Sequence, residues 1–146
     1  MSISKALRAA LCLALLTALL CAPALAKVVS PGADFYYLDE PDVISEDLEG
    51  EIYFSNQLLY KQCGAQIVVA AVETTGSESI DDYAYDLFNK WGIGDPQKQN
   101  GLLILLAIDD DDYSVEPGTG LQSKLSAGAI KSYHDEYLEP DFAKGE

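Results

Sequence analysis

The stretch Leu102-Leu103-Ile104-Leu105-Leu106-Ala107-Ile108 runs straight into Asp109-Asp110-Asp111-Asp112. An apolar run without polar alternation reads as a strand covered on both faces, the pattern of a central strand with helices on each side of its sheet. Four consecutive aspartates cannot continue it. The chain must turn there, and Tyr113 to Glu116 is expected to return as a short antiparallel strand.

Upstream, Ile67 to Val72 repeats the pattern of a buried strand. Between the two strands, Ser79 is placed to cap a helix in which Ile80, Ala84, Leu87 and Trp91 recur at helical spacing, with Gly92 as a left-handed stop. Trp91 is expected to pack that helix on the sheet. Before Ile67, Ser45 is placed to cap another helix, with Glu46 and Asp47 in the first turn and Leu48, Ile52, Ser55 and Leu59 along one side. It ends near Cys63, at Gly64. Phe35 to Leu38 reads as a first strand, closed by the acidic loop Asp39-Glu40-Pro41-Asp42. After the loop Pro117 to Gly120, a third helix is expected to carry Leu121, Leu125, Ile130, Tyr133 and Tyr137. Strands alternating with helices define an α/β fold, a three-layer α/β/α sandwich around a mainly parallel mixed sheet.

The N-terminus has the parts of an export leader. Lys5 and Arg8 precede an apolar run from Ala9 to Cys21, followed by Pro23 and the small-residue site Ala24-Leu25-Ala26. The run is short for a membrane span, which needs about 20 apolar residues. Residues 1–26 are therefore expected to be a signal peptide and 27–146 a single domain, exported to the cell envelope or beyond and in contact with a membrane there. Removing Lys5 and Arg8 leaves 7 of the 9 basic residues against 24 acidic ones, a net charge of −17 on the domain. Such a surface repels nucleic acid and attracts cations and basic partners. Cys12 and Cys21 leave with the leader, so Cys63 has no intramolecular disulfide partner and is expected to be a buried, inert thiol.

The chain has no Walker-type loop, no His-Glu-x-x-His, no Cys-x-x-Cys and no Gly-x-Ser-x-Gly elbow. Its single histidine, His134, sits in a polar stretch and reads as a surface residue. Carboxylates in loops remain. Ligands of open α/β sheets bind outside the carboxyl ends of the strands, where Asp39 and Asp109 to Asp112 belong. Asp39, Asp109 and Asp111 are thus the candidate ligands for a hard divalent cation such as calcium; solvated turns are the competing reading. The aspartate run is no EF-hand, because Ser114 and Gly120 stand at the positions requiring Gly and Glu. Gly118-Thr119-Gly120 reads as a tight turn rather than an anion cradle.

Together, several segments resemble the TPM domain family, named partly for a thylakoid-lumen phosphatase. They are Asp39 with Ile44-Ser45, Ala65-Gln66-Ile67-Val68-Val69, Leu87-Phe88-Asn89-Lys90-Trp91-Gly92-Ile93-Gly94, Asn100-Gly101-Leu102-Leu103-Ile104 and Gly118-Thr119-Gly120-Leu121. The resemblance implies an α/β/α sandwich outside the cytoplasm, with acid-phosphatase activity in part of the family and calcium or other divalent-cation binding in part. The chain departs from the family pattern in three places. Gln99 and Gln122 stand where acids are common, and Asp111 or Asp112 replaces a basic residue after the Leu102 to Ile108 strand.

Two functions follow as expectations. One is an extracytoplasmic module that binds a protein partner, with calcium as a candidate cofactor. The other is a divalent-metal-dependent acid phosphatase acting on a small phosphoester, with Asp39, Asp109 and Asp111 as ligands and a bound water as nucleophile. A purely structural interaction domain is the third reading.

Overall fold

The computed structural model describes residues 36–138. The leader expected at residues 1–26 lies outside the described residues, as do Phe35 of the first expected strand and residues 139–146. Strand β1 is Tyr37–Asp39, helix α1 Glu46–Cys63, β2 Gln66–Val72, α2 Ile80–Trp91, β3 Gly101–Ala107 and β4 Asp112–Pro117. Helix α3, Ala127–Tyr133, continues as a wider π-type turn over His134–Leu138. The sheet order is β1-β2-β3-β4, with β1, β2 and β3 parallel and β4 antiparallel to β3.

Register assigns the two faces. Val68 pairs with Leu103, Ala70 with Leu105 and Val72 with Ala107. These residues form one core with Tyr83, Ala84, Leu87 and Trp91 of α2, joined by Leu38 of β1. Val68, Val72, Leu87, Leu103 and Leu105 are fully buried, each contributing about 1.5–3 kcal/mol of hydrophobic stabilisation. Strand parity turns Tyr37 to the opposite face, where it shares a hollow with Glu46, Glu49, Gly50 and Tyr53 of α1. Tyr113 and Val115 point to that same face and meet Ile130 of α3 across a groove. Helix α2 therefore covers one face and α1 the other, with α3 set across a groove from β4, the three-layer sandwich expected from the sequence.

Both long helices are delimited as their sequences require. The Ser45 hydroxyl accepts the Leu48 N–H at 3.4 Å, and Gly64 closes α1 with φ +73°. The Ser79 hydroxyl accepts the Asp82 N–H and donates to the Asp82 carboxylate at 2.7 Å, while Gly92 closes α2 with φ +62°. Both glycines occupy the left-handed region where a side chain is strained.

Four details differ from the sequence expectation. Strand β1 includes Asp39, because β2 extends alongside it to Ala71. The buried residue of α1 is Asn56, while Leu48 and Ser55 are exposed. The third helix starts at Ala127 instead of near Leu121: residues 119–124 form turns, and the Ser126 hydroxyl accepts the Ala129 N–H as a fresh cap. Cys63 is exposed, since it ends α1 beyond the sheet, and its S–H donates to the Leu59 carbonyl at 3.4 Å.

Candidate functional site

Parallel pairing places the loops after β1, β2 and β3 on one edge of the sheet. Asp39 ends β1, and both of its carboxylate oxygens accept backbone N–H groups, from Val43 at 3.1 Å and Ile44 at 2.6 Å. They hold the acidic loop closed ahead of α1. Asp109 donates its N–H to the Glu73 carbonyl at 2.8 Å, extending the β2–β3 ladder, and Asp111 takes φ +53° in the tight turn to β4. Asp39 is level with Ala71 and Leu106, so Asp109, two strands over and three residues further along, lies roughly 14 Å from it.

The carboxylate that organises this edge is Asp110, which sequence reasoning passed over. It accepts the Thr74 hydroxyl at 2.8 Å, the Thr75 N–H at 2.7 Å and the Thr75 hydroxyl at 3.1 Å. The Thr75 amide, then the Thr74 hydroxyl, hold its pKa below the ordinary aspartate range. The signal in the sequence was the Thr74-Thr75 pair, one strand over at the matching height. Calcium requires about six to eight oxygens at roughly 2.3–2.6 Å. Among the described residues no group of three or more His, Cys, Asp or Glu has metal-holding spacing. Asp39, Asp109 and Asp111 share an edge without forming a ready-made calcium cage.

At the opposite end of the sheet a cleft of about 360 Å³ gathers Phe88, Gly94, Gln99, Glu116, Thr119 and Gln122. The Thr119 hydroxyl donates to the Gln99 side-chain oxygen. The glycines here serve close approach: a Cβ on Gly118 would meet the Gln99 carbonyl at 2.3 Å, and one on Gly120 the Lys98 carbonyl at 1.9 Å. Their amides are engaged, Gly118 with the Gly101 carbonyl and Gly120 with the Gln99 carbonyl. The segment is the tight turn expected of it. Two carboxylates line this cleft, Asp95 and Glu116, and among the described residues no Lys or Arg does. The Lys98 and Gln97 amides lower the Asp95 pKa; burial, then the nearby Asp81 charge, raises that of Glu116.

The third concavity is an open groove of about 780 Å³ between β4 and α3, walled by Tyr113, Val115 and Pro117 on one side and Leu125, Ala127 and Ile130 on the other. No residue of α3 is buried, so the helix stands off the sheet. Phe54 and Leu58 of α1, one helical turn apart, also face solvent.

The family model for the TPM domain matches residues 37–146. The chain belongs to the TPM domain family. No curated protein matches the sequence. Three solution structures share the fold. The N-terminal domain of a protein from P. gingivalis is 23% identical at a TM-score of 0.65, covering 75% of this chain and 69% of that one. BA42 from the psychrophilic bacterium Bizionia argentinensis is 20% identical at 0.57, covering 74% and 73%. The N-terminal domain of cg2496 from Corynebacterium glutamicum is 16% identical at 0.55, covering 82% and 79%. At these identities the likeness concerns the fold.

Within this TPM domain the segments that carry the family resemblance have separate tasks. Leu87 and Trp91 are core; Gly94 and Gly118 allow backbone to pass backbone; Gln99, Glu116, Thr119 and Gln122 face the cleft. Gln99 and Gln122, far apart in the sequence, thus belong to one cleft.

Proposed function

We propose that this TPM domain is an extracytoplasmic partner-binding module. The open groove between β4 and α3, apolar along Tyr113, Val115, Leu125 and Ile130 and polar at Gln122, Ser126, Lys131 and Asp135, is the observation that carries the reading. It offers side-chain walls and a sheet edge, both suited to recognition, whereas the carboxylates best placed for chemistry hold backbone: Asp39 its own loop, Asp110 the Thr74-Thr75 turn and Asp95 the Gln97-Lys98 turn. Phosphoester hydrolysis needs positive groups or a metal to offset developing negative charge. The motif cleft presents Asp95 and Glu116 instead. The leader-like residues 1–26 and the acidic surface support a site of action outside the cytoplasm and a basic partner.

The reading is tested with the full chain produced in a host that exports it. Photo-crosslinking from the Val115 position in intact cell envelopes is expected to trap a protein neighbour. A generic phosphoester assay with and without divalent cations is expected to show no turnover, and calorimetric calcium titration of the wild type and Asp39→Ala measures the cation expectation separately. Metal-dependent turnover lost in Asp39→Ala would overturn the module in favour of the phosphatase. Absence of any crosslinked neighbour also counts against it.

A further inference from the structure

We infer that the cleft between α2 and β4 binds a guanidinium group, with the Glu116 carboxylate as its counter-ion and the exposed ring of Tyr85 as its stacking face. Helix α2 returns antiparallel to the parallel pair β2 and β3, and β4 reverses again, so α2 and β4 run side by side in the same direction. Their contact is anchored where the Ser114 hydroxyl donates to the Asp81 carboxylate at 2.8 Å. One helical turn advances about 5.4 Å and two strand residues about 6.8 Å. Tyr85 therefore comes level with Glu116, and Asn89 with Gly118. Strand parity points Glu116 to the α2 side, as it does Ser114.

The two carboxylates of the cleft differ in what they already hold. The Asp95 Oδ1 accepts the Gln97 and Lys98 amides at 2.8 and 3.0 Å, and the Lys98 charge adds to the lowering of its pKa. For Glu116, burial and then the Asp81 charge raise the pKa, and neither a hydrogen bond nor a cation offsets them. A positive ligand group would do so. Around Glu116 the Asn89 side-chain NH₂ donates to the Tyr85 carbonyl at 2.7 Å, which leaves its Oδ1 to accept. Tyr85 is 59% exposed, while Phe88 packs partly against the core, and Pro96 and Pro117 add apolar surface.

This mixture selects among cations. Calcium needs about six to eight oxygens, and one uncommitted carboxylate among rings and prolines does not supply them. An ammonium is a compact, strongly hydrated charge. A guanidinium is planar and weakly hydrated, pairs with a carboxylate through two parallel N–H bonds and stacks on an aromatic face. The volume of about 360 Å³ suits a group of this size. Two sources bear it: an arginine side chain of a peptide or protein, and a free alkylguanidine. Glu116 points to the opposite side of β4 from Val115, so the site stands whether or not the β4–α3 groove takes a partner.

The probes are the blocked peptide acetyl-Gly-Arg-Gly-amide, its lysine and citrulline counterparts, and butylguanidine, each titrated into the full chain at constant ionic strength and followed by NMR. Shifts are expected to centre on Tyr85, Asn89 and Glu116. The arginine peptide is expected to bind about tenfold more tightly than the lysine peptide, and the neutral citrulline peptide not to saturate. Glu116→Gln is expected to weaken arginine binding about tenfold or more. Tyr85→Ala should cost about fivefold, whereas Tyr85→Phe keeps the ring and the affinity. Equal binding of the arginine and lysine peptides, or undiminished binding by Glu116→Gln, would leave only the general attraction of an acidic surface and overturns the site. Shifts centred on the Asp110 edge, or no saturable binding, overturn it as well. Tighter binding of the arginine peptide than of butylguanidine assigns the group to a protein, and the reverse order to a free metabolite; both orders support the guanidinium site.

Discussion

The Asn56 side-chain oxygen accepts the Ile67 amide N–H at 2.8 Å, while its NH₂ donates to the Ile52 carbonyl at 2.9 Å. One buried carboxamide thereby ties the middle of α1 to the start of β2, across the Gly64 turn. Truncation leaves the part-buried Ile67 N–H without this acceptor, which costs about 1–3 kcal/mol. Asn56→Ala is expected to lose about 2 kcal/mol in urea denaturation and to speed exchange of the Ile67 amide. Asn56→Asp retains the acceptor and should keep that amide protected. Fast exchange in both variants would mean that the helix–strand contact, rather than this bond, protects Ile67.

The two glycines after α2 should respond differently to the same substitution. At Gly92 a Cβ meets nothing within 4 Å, so Gly92→Ala bears only the left-handed backbone, about 1–2 kcal/mol. At Gly94, with φ +92°, a Cβ would lie 2.3 Å from the Gly101 backbone nitrogen. The α2–β3 connection must open to admit it. Gly94→Ala is expected to lose about 3 kcal/mol or more, and thermal denaturation of the pair checks the order. Equal losses would show that the crossing can relax.

These local devices explain what could be read from the chain. The buried runs of β2 and β3 and the Ser45, Ser79, Gly64 and Gly92 caps were legible, because burial pattern and capping chemistry act within a few residues. Together they imposed the α/β sandwich. Asn56 was not legible, since a helical stripe through Leu48, Ile52, Ser55 and Leu59 looks no worse until the Ile67 amide is seen to need an acceptor. The α3 start was missed because Leu121 and Leu125 keep helical spacing while Ser126 caps a later helix. Around the sheet edge, the aspartates were visible but their tasks were not. Only the register that sets Asp110 beside Thr74 and Thr75 tells a structural carboxylate from a ligand.

Asp110 makes acid stability a measurable quantity. Its pKa is depressed by the Thr75 amide and the Thr74 hydroxyl. A carboxylate with a lowered folded pKa stabilises the protein above its unfolded value, about 4, and that stabilisation disappears as pH falls through the lower folded value. Asp110→Asn is expected to lower Tm at pH 7 and to converge on the wild type in strong acid. A gap that persists undiminished at low pH would assign the loss to geometry rather than charge.

Glu116 carries the opposite sign. Burial, then the neighbouring Asp81 charge, raises its pKa, so the folded state holds the proton more tightly than the unfolded state. Its contribution is favourable below the unfolded value, about 4.3, and is lost as pH rises toward the raised folded value. At pH 7 the ionised side chain is therefore a net strain on β4, and Glu116→Gln is expected to raise Tm there, with the difference closing below about pH 4. If Glu116→Gln is less stable at neutral pH, the carboxylate has a partner that offsets its burial and the repulsion from Asp81.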